Sequence, residues 1–252
     1  DDIAWFLNIR GNDVHCCPVV LSYLVMTDKE LRLFVNETVF SEEIRANLEA
    51  DGVEIYPYND VYSYVRTIGA DQKVLLSKAN VNSRLVSNIP PEVTILDEEN
   101  LTLLPKAIKN ETEVKNERIA HIKDGVAVTR FIRWMKENVG KEKITELSAA
   151  KKLYQFRSEQ ENFLGDSFDP IIAYGKHAAI VHYSATEETD IPFEARGMVL
   201  ADTGGHYLEG STDITRTVVL GPVTDKEKKY FTAVLRGNLN LAAAKFKHGC
   251  TG

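Results

Sequence analysis

The chain has 252 residues, of which 44% are hydrophobic and 27% are charged, and its formal net charge is −7 at pH 7. This length and apolar content are sufficient for one large folded domain or two ordinary ones. Because no stretch is dominated by Lys and Arg, the sequence argues against binding to nucleic acid or to an anionic membrane. No apolar run approaches the roughly 20 residues of a membrane span.

The cysteines and the chain ends give two further expectations. Cys16, Cys17 and Cys250 form no CxxC spacing, and adjacent cysteines rarely pair with each other, so a reducing, cytoplasmic location is expected. The sequence opens without Met on "DDIAWFLNIRG" and stops at "KFKHGCTG". It is therefore expected to be a piece of a longer protein.

Residues 3–100 alternate short apolar runs with helical patterns. The segments "IAWFLNIR", "PVVLSYLVMT", "ELRLFVN", "VEIYPY", "KVLLSK" and "EVTILD" predict strands. Helices are predicted between several of them, one with Ser41 as its N-cap and Gly52 at its end. Strands interleaved with helices indicate an α/β layer.

The pattern changes after residue 110. A long amphipathic helix is predicted from Glu111 to Val139, and a second from Thr145 to about Glu161. Strands are then predicted at "IIAYG", "AAIVHYS", "GMVLADTG" and "TDITRTVVLG", followed by a helix that begins with a capping box at Thr224 and runs to Lys247. This part is expected to contain two helices, an antiparallel sheet and a final helix.

Two acids flank the glycine-bearing turn in "DTGGHYLEGSTDITRT". Asp202 ends an aliphatic run and Asp213 begins the returning strand, so the two carboxylates are predicted to meet across an antiparallel ladder. Two anions so placed repel unless a shared proton, an arginine or a cation compensates. A divalent metal such as Mn²⁺ suits oxygen-only ligation. The alternative is that both are solvated acids beside a turn.

His182 lies inside the apolar run "AIVHYS". One interpretation is a partly buried histidine that bonds a backbone carbonyl. The other is a hydrogen-bond donor that faces a substrate carbonyl oxygen or an oxyanion. The residue alone does not decide between them.

Three segments together carry a family resemblance. "DTGGHYLEGSTDITRT", "SFDPIIAYGKHAAIVHYS" and "RIAHIKDGVAVTRFIRWM" resemble the aminopeptidase P branch of the creatinase and methionine aminopeptidase superfamily, peptidase family M24. "DDIAWFLNIRGNDVHCCPVVLSYLVM" resembles the start of the middle domain of the long, three-domain form, so the resemblance covers essentially the whole chain. It implies a creatinase-type α/β middle domain over residues 1–107, then the first half of an α+β pita-bread catalytic domain over residues 108–252.

The resemblance also implies a function. Family members release the N-terminal residue from peptides with proline in second position, so proline-containing peptides are the implied substrates. Asp202 would chelate one metal of a pair, Asp213 would bridge both, and two Mn²⁺ are the implied ions. His182 would contact the bound peptide. The long form of the family is commonly dimeric, which makes a homodimer an expectation.

The sequence departs from the family pattern in two places. His177 stands where asparagine is common. The family site also takes one histidine and two glutamates from a later segment, and these three ligands do not fall within the 252 residues. Weak metal binding and no turnover are therefore expected of this chain. The alternatives are a prolidase- or creatinase-type hydrolase of the same fold, and a non-catalytic binding or assembly module.

Overall fold

The computed structural model describes residues 1–251. The chain divides into two compact units, Asp1–Lys115 and a second that begins at Asn116. Among the described residues, the first unit has two hydrophobic core clusters and the second has one. Among the helices in this described part, none is both long enough and apolar enough to cross a membrane.

The first unit is an α/β layer of short strands and helices. Its strands are β1 Ser22–Met26, β2 Leu31–Val35, β3 Val53–Pro57, β4 Lys73–Leu76 and β5 Thr94–Asp97; its short helices are α1 Asp2–Phe6, α2 Glu42–Ala50, α3 Val61–Val65, α4 Ser83–Asn88 and α5 Leu103–Ala107. β2 pairs antiparallel with β1 and parallel with β3, while β4 and β5 form a separate parallel pair.

Strand β2 is buried on both faces. Phe34 belongs to one core cluster, whereas Leu33 and Val35 on the opposite face belong to another. Successive strand residues point to opposite faces, so apolar side chains cover both sides of this strand. The predicted α/β layer is thereby confirmed.

The first predicted strand is wrong, because Asp2–Phe6 form helix α1. The Asp1 carboxylate caps the helix by accepting from the backbone N–H of Asp2. Ile3 and Leu7, four residues apart, both pack against one core cluster. This is helical spacing, which the short apolar run did not distinguish from a strand.

The second unit contains three longer helices and six strands within the described residues. The helices are α6 Glu111–Asn138, which begins before the unit boundary, α7 Glu146–Ser158 and α8 Asp225–Ala242; the strands are β6 Phe163–Asp166, β7 Ile171–Tyr174, β8 Met198–Thr203, β9 Gly205–Tyr207, β10 Gly210–Ser211 and β11 Ile214–Val219. Thr145 and Thr224 form the expected N-caps of α7 and α8. Helix α8 ends before the predicted Lys247.

The strands of this unit form two antiparallel sheets. One has the order β11-β8-β7 and the other the order β10-β9-β6. Only Gly204 separates β8 from β9, and only residues 212–213 separate β10 from β11. The chain therefore passes from one sheet to the other twice at the same place. We call this place, formed by residues 202–204 and 212–213, the sheet junction.

The core of the second unit lies between one sheet and two helices. Side chains from β7, β8 and β11 pack against α6 and α7; they include Ile172, Tyr174, Val199, Ala201, Val218, Phe131, Met135 and Leu153. Helix α8 has no buried residue. The alternating burial of β8 shows that this sheet has one face in the core and one face outside it.

Candidate metal site

Asp202 is the penultimate residue of β8 and lies on the outer face of its sheet. Its neighbours Ala201 and Thr203 are buried, whereas Asp202 itself is half-buried. Thr215 stands directly opposite in β11 and donates its hydroxyl hydrogen to Asp202 Oδ1 at 2.7 Å. The carboxylate is thus held by one neighbour while part of it stays accessible.

Asp213 is exposed and precedes β11 by one residue. The prediction that it faces Asp202 directly is wrong, since Thr215 occupies that position. Leu208 and Glu209 form the turn of the hairpin. The centre of this two-residue turn does not coincide with the midpoint between Asp202 and Asp213 in the sequence, so the register does not pair the two acids. When the alternation of β11 is continued back by one residue, from Ile214 to Asp213, it gives Asp213 the same face as Thr215 and Asp202.

The donor set suits a hard divalent cation. Two carboxylates on one face, one half-buried and one exposed, offer only oxygen ligands, which Mn²⁺, Mg²⁺ and Ca²⁺ prefer over softer metals. Arg216 bonds the carbonyl oxygen of Thr215 and lies opposite Ala201. Its strand position therefore assigns it to the face opposite the two acids.

A buried polar network lies behind the sheet junction. Asp124 of α6 and Arg157 of α7 form a bidentate ion pair, with Nε–Oδ1 at 2.7 Å and Nη2–Oδ2 at 3.2 Å. Their side chains are 2% and 1% exposed. Arg157 Nη2 also donates to Thr203 Oγ1 at 3.0 Å, and Thr212 Oγ1 donates to Asp124 Oδ2 at 2.9 Å. The pair is therefore bonded to the sequence neighbour of each acid.

Tyr207 and Asp166 complete the network. Tyr207 donates its hydroxyl hydrogen to Asp124 Oδ1 at 3.1 Å, and burial together with the Asp124 charge raises the pKa of the Tyr207 phenol. Asp166 Oδ1 lies 3.5 Å from Arg157 Nη1. Burial raises the pKa of the Asp166 carboxyl, and the Arg157 charge only partly offsets that effect.

Sequence reasoning missed Asp124 and Arg157, although a signal was present. Asp124 falls at helical spacing among Ala120, Ala127, Val128 and Phe131, the buried stripe of α6. Arg157 likewise follows Ala149, Leu153 and Phe156 on the buried side of α7. A charged residue on an apolar stripe is rarely buried unless it has a partner. The sequences of α6 and α7 therefore each indicated one partner of a buried ion pair.

His182 lies outside the strand that the sequence predicted. Residues Gly175–Ala179 form a 3-10 helix, and His182 follows in an exposed turn with φ at +53°. Gly175 also has a positive φ, +57°. These left-handed conformations are incompatible with an extended strand. Of the two interpretations, the buried histidine in a strand is wrong, and the structure does not bring His182 into a hydrogen bond with either acid.

The segment that carries His182 is anchored by Glu146, which is fully buried at the start of α7. Tyr183 donates its hydroxyl hydrogen to Glu146 Oε2 at 2.7 Å, and His177 Nδ1 lies 3.0 Å from Oε1. The backbone N–H of Tyr174 donates to Oε1 at 2.8 Å. His177, which stands where asparagine is common in the family, is therefore buried, and Glu146 is a further residue that sequence reasoning missed.

Two family models match the chain. The Creatinase/Prolidase N-terminal domain matches residues 1–113, and Metallopeptidase family M24 matches residues 115–252. Together they confirm a creatinase-type domain followed by part of the M24 domain.

Curated relatives match over the full length of the chain. Xaa-Pro aminopeptidase 1 of Dictyostelium discoideum is 38% identical over 261 residues, which cover 100% of this chain and 40% of the relative. Xaa-Pro aminopeptidase 2 of Sus scrofa is 34% identical over 258 residues and is covered to 38%. The chain thus spans about two fifths of the length of these relatives.

Solved structures give the same fold. An X-prolyl aminopeptidase from Caenorhabditis elegans, described as a cytosolic enzyme with a di-nuclear active site, superposes with a TM-score of 0.92 at 33% identity, covering 99% of this chain and 42% of the other. An Xaa-Pro dipeptidase from Bacillus anthracis has a TM-score of 0.71 at 20% identity, covering 95% and 63%, which supports the fold alone. Two family models match, the relatives align over the whole of this chain, and the superposition has a TM-score of 0.92. These findings establish that this chain belongs to metallopeptidase family M24.

Proposed function

We propose that this chain is the portion of an Xaa-Pro aminopeptidase that carries its middle domain and the first half of its metal site. The proposal is supported by the position of Asp202 in β8, opposite Thr215, and of the exposed Asp213 one residue before β11, so that both acids lie at the sheet junction. It is supported by 38% identity to an Xaa-Pro aminopeptidase over the whole chain. The substrates would be peptides with proline in second position.

We assign two divalent metal ions, with Mn²⁺ as the favoured species, to the complete site. The Caenorhabditis elegans relative is described as having a di-nuclear active site, and the carboxylate donors here suit hard ions. In this assignment Asp202 would hold one ion and Asp213 would be shared by both. The chemistry that such a pair would supply when bound is activation of a water near neutral pH and stabilisation of charge on the reacting carbonyl.

His182 is the candidate for contact with bound peptide. Its exposure leaves the imidazole accessible, and its left-handed conformation is sustained by the anchoring of Tyr183 on Glu146. Strained backbone of this kind persists where surrounding contacts over-determine it, and such positions are concentrated at functional sites. We therefore assign His182 the role of hydrogen-bond donor to a substrate oxygen.

The remaining features of the proposal concern the whole protein. A cytoplasmic location is supported by the relative that is described as cytosolic. A homodimer is proposed from the resemblance to the long form of the family. The alternatives are a prolidase- or creatinase-type hydrolase of the same fold and a non-catalytic binding or assembly module. The similarity to Xaa-Pro aminopeptidases over the whole of this chain favours the aminopeptidase over both.

The 252-residue chain alone is expected to have no peptidase activity. Two carboxylates hold divalent ions weakly, because water must fill the remaining coordination positions. The test uses two proteins: this chain, and a chimaera in which it replaces the matching segment of the Dictyostelium discoideum enzyme. We expect no release of the first residue from an Xaa-Pro peptide by the chain and clear release by the chimaera.

The chimaera carries its own controls. Asp213→Asn should abolish activity there, whereas Glu142→Asn, at an exposed position outside the site, should leave it unchanged. Robust cleavage by the isolated chain, free of contaminating peptidase, would overturn the half-site assignment. A folded, metal-loaded chimaera that cleaves no Xaa-Pro peptide would overturn the proposed activity.

A further inference from the structure

We propose that the buried Asp124–Arg157 pair is a positioning device that presents Asp202 and Asp213 to metal through the threonines beside them. This inference rests on the proposed metal site. The pair contacts neither acid in the described structure. Its bonds go instead to Thr203, which follows Asp202, and to Thr212, which precedes Asp213.

Each member of the ion pair holds one of the two threonines. Arg157 holds the threonine on β8, and Asp124 holds the threonine in the segment that leads into β11. Neighbouring Cα atoms are joined through a planar trans peptide, so a displacement of either threonine is transmitted to the adjacent acid. One ion pair therefore fixes both sides of the sheet junction at once.

The network has little freedom to rearrange. The Asp124 carboxylate accepts four hydrogen bonds, two from Arg157 and one each from Tyr207 and Thr212. Four is about the full capacity of a carboxylate. Fully satisfied buried networks are rigid and specify one arrangement.

Thr212 is fixed at every polar atom. Its backbone N–H donates to Gly205 O at 2.9 Å, and its carbonyl oxygen accepts from Ser167 Oγ at 2.8 Å. Its hydroxyl accepts from Gly205 N–H at 2.9 Å while it donates to Asp124. The residue that precedes Asp213 is therefore hydrogen-bonded at its backbone N–H, its carbonyl oxygen and its hydroxyl.

A rigid sheet junction keeps two carboxylates of like charge close together. Without metal, Asp202 and Asp213 repel each other, and a pliant junction would let them separate. A metal ion would then bind only after the acids were brought back together, which lowers the measured affinity. Stability alone does not call for the ion pair, because well-packed apolar residues of the same volume serve at least as well.

The test measures Mn²⁺ binding to the 252-residue chain by the broadening of amide resonances near the sheet junction, and stability by urea unfolding. Thr212→Val and Thr203→Val remove one hydroxyl each at nearly constant volume, and Thr212→Ser restores the hydroxyl. Ile172→Val, in the same core, lowers stability without touching the network. Asp202→Asn and Asp213→Asn report on the metal site itself.

We expect both valine variants to weaken Mn²⁺ binding about tenfold or more, while Thr212→Ser and Ile172→Val bind as the parent does. Unchanged binding in both valine variants, with binding lost in Asp213→Asn, would overturn the positioning role and leave the metal site standing. Equal weakening by Ile172→Val would also overturn it, since loss of stability would then be the cause. Binding that survives both asparagine substitutions would instead overturn the proposed metal site.

Discussion

Thr215 donates its hydroxyl hydrogen to Asp202 Oδ1 at 2.7 Å from the position directly opposite in the β8–β11 ladder. The bond fixes the rotamer of a carboxylate that is only half-buried. A hydrogen-bond partner of this kind orients a metal ligand without itself contacting the ion. The hairpin register thus supplies part of the proposed site.

Thr215→Val should weaken Mn²⁺ binding by roughly 10- to 100-fold, the usual effect of removing a partner that orients a ligand. Stability should change little because Thr215 is exposed. Thr217→Val, two residues along on the same exposed edge, is the matched control. The same Mn²⁺ affinity in both variants, measured by amide broadening, would contradict the orienting role.

Arg157→Met should destabilise the second unit by about 3–5 kcal/mol, because Asp124 would remain buried without its compensating charge. The loss is measured by urea unfolding. Arg133→Met, which breaks an ion pair with Glu137 on the exposed side of α6, is the control and should have little effect. A loss for Arg157→Met as small as that of the control would show that the buried pair is dispensable.

Gly204→Ala should disrupt the sheet junction. A Cβ atom at Gly204 would lie 2.0 Å from the carbonyl oxygen of Thr212 and 2.1 Å from Ser167 Oγ. Overpacking of this kind costs about 1–3 kcal/mol or more and shifts the backbone. We expect lower stability in urea unfolding together with weaker Mn²⁺ binding.

Gly237→Ala provides the comparison for that substitution. Gly237 lies within α8, where an added Cβ has no atom within 4 Å. Alanine favours a helix interior by up to about 1 kcal/mol, so stability should be unchanged or higher. If both alanine variants behaved alike, the close approach at Gly204 would have no energetic consequence.

Asp166 gives the chain a predictable dependence on pH. Burial raises its folded-state pKa above the ordinary value of 3.8, so the folded chain holds this proton more tightly than the unfolded chain. The stability contributed by Asp166 is therefore present at acid pH and is lost as pH rises from 3.8 through the raised pKa.

Asp166→Asn cannot ionise, so its stability relative to the parent should increase across that pH window and then stay constant. Urea unfolding at a series of pH values measures the difference. Asp28→Asn, at an exposed turn, is the comparison variant. If the stability of Asp166→Asn relative to the parent stayed flat or fell as pH rises, the effect of burial would be contradicted.

Much of the fold was predictable because its signals are local. The N-caps at Thr145 and Thr224 and the strand at "GMVLADTG" were all predicted from adjacent residues and are confirmed. The segment Asp2–Phe6 was misread because a short apolar run fits either a helix or a strand. "AAIVHYS" was misread because its conformation depends on Glu146, which is distant in sequence.

The candidate site was predictable only in part. The two acids were visible in the spacing and in the family resemblance, but their register was not, because it depends on which two residues form the hairpin turn. The network behind them joins residues from α6 and α7 to the sheet. Contacts of that kind form only when the helices pack. The position of Asp124 on the apolar stripe of α6 did indicate that one such contact exists.

Asp202 and Asp213 are proposed to form together one half of a divalent-metal site. Titration of Mn²⁺ into the 252-residue chain, followed by NMR of the amide resonances, tests this assignment directly. We expect selective broadening around residues 200–216, which Asp213→Asn abolishes. Uniform broadening over the surface, or selective broadening that Asp213→Asn leaves unchanged, would contradict it.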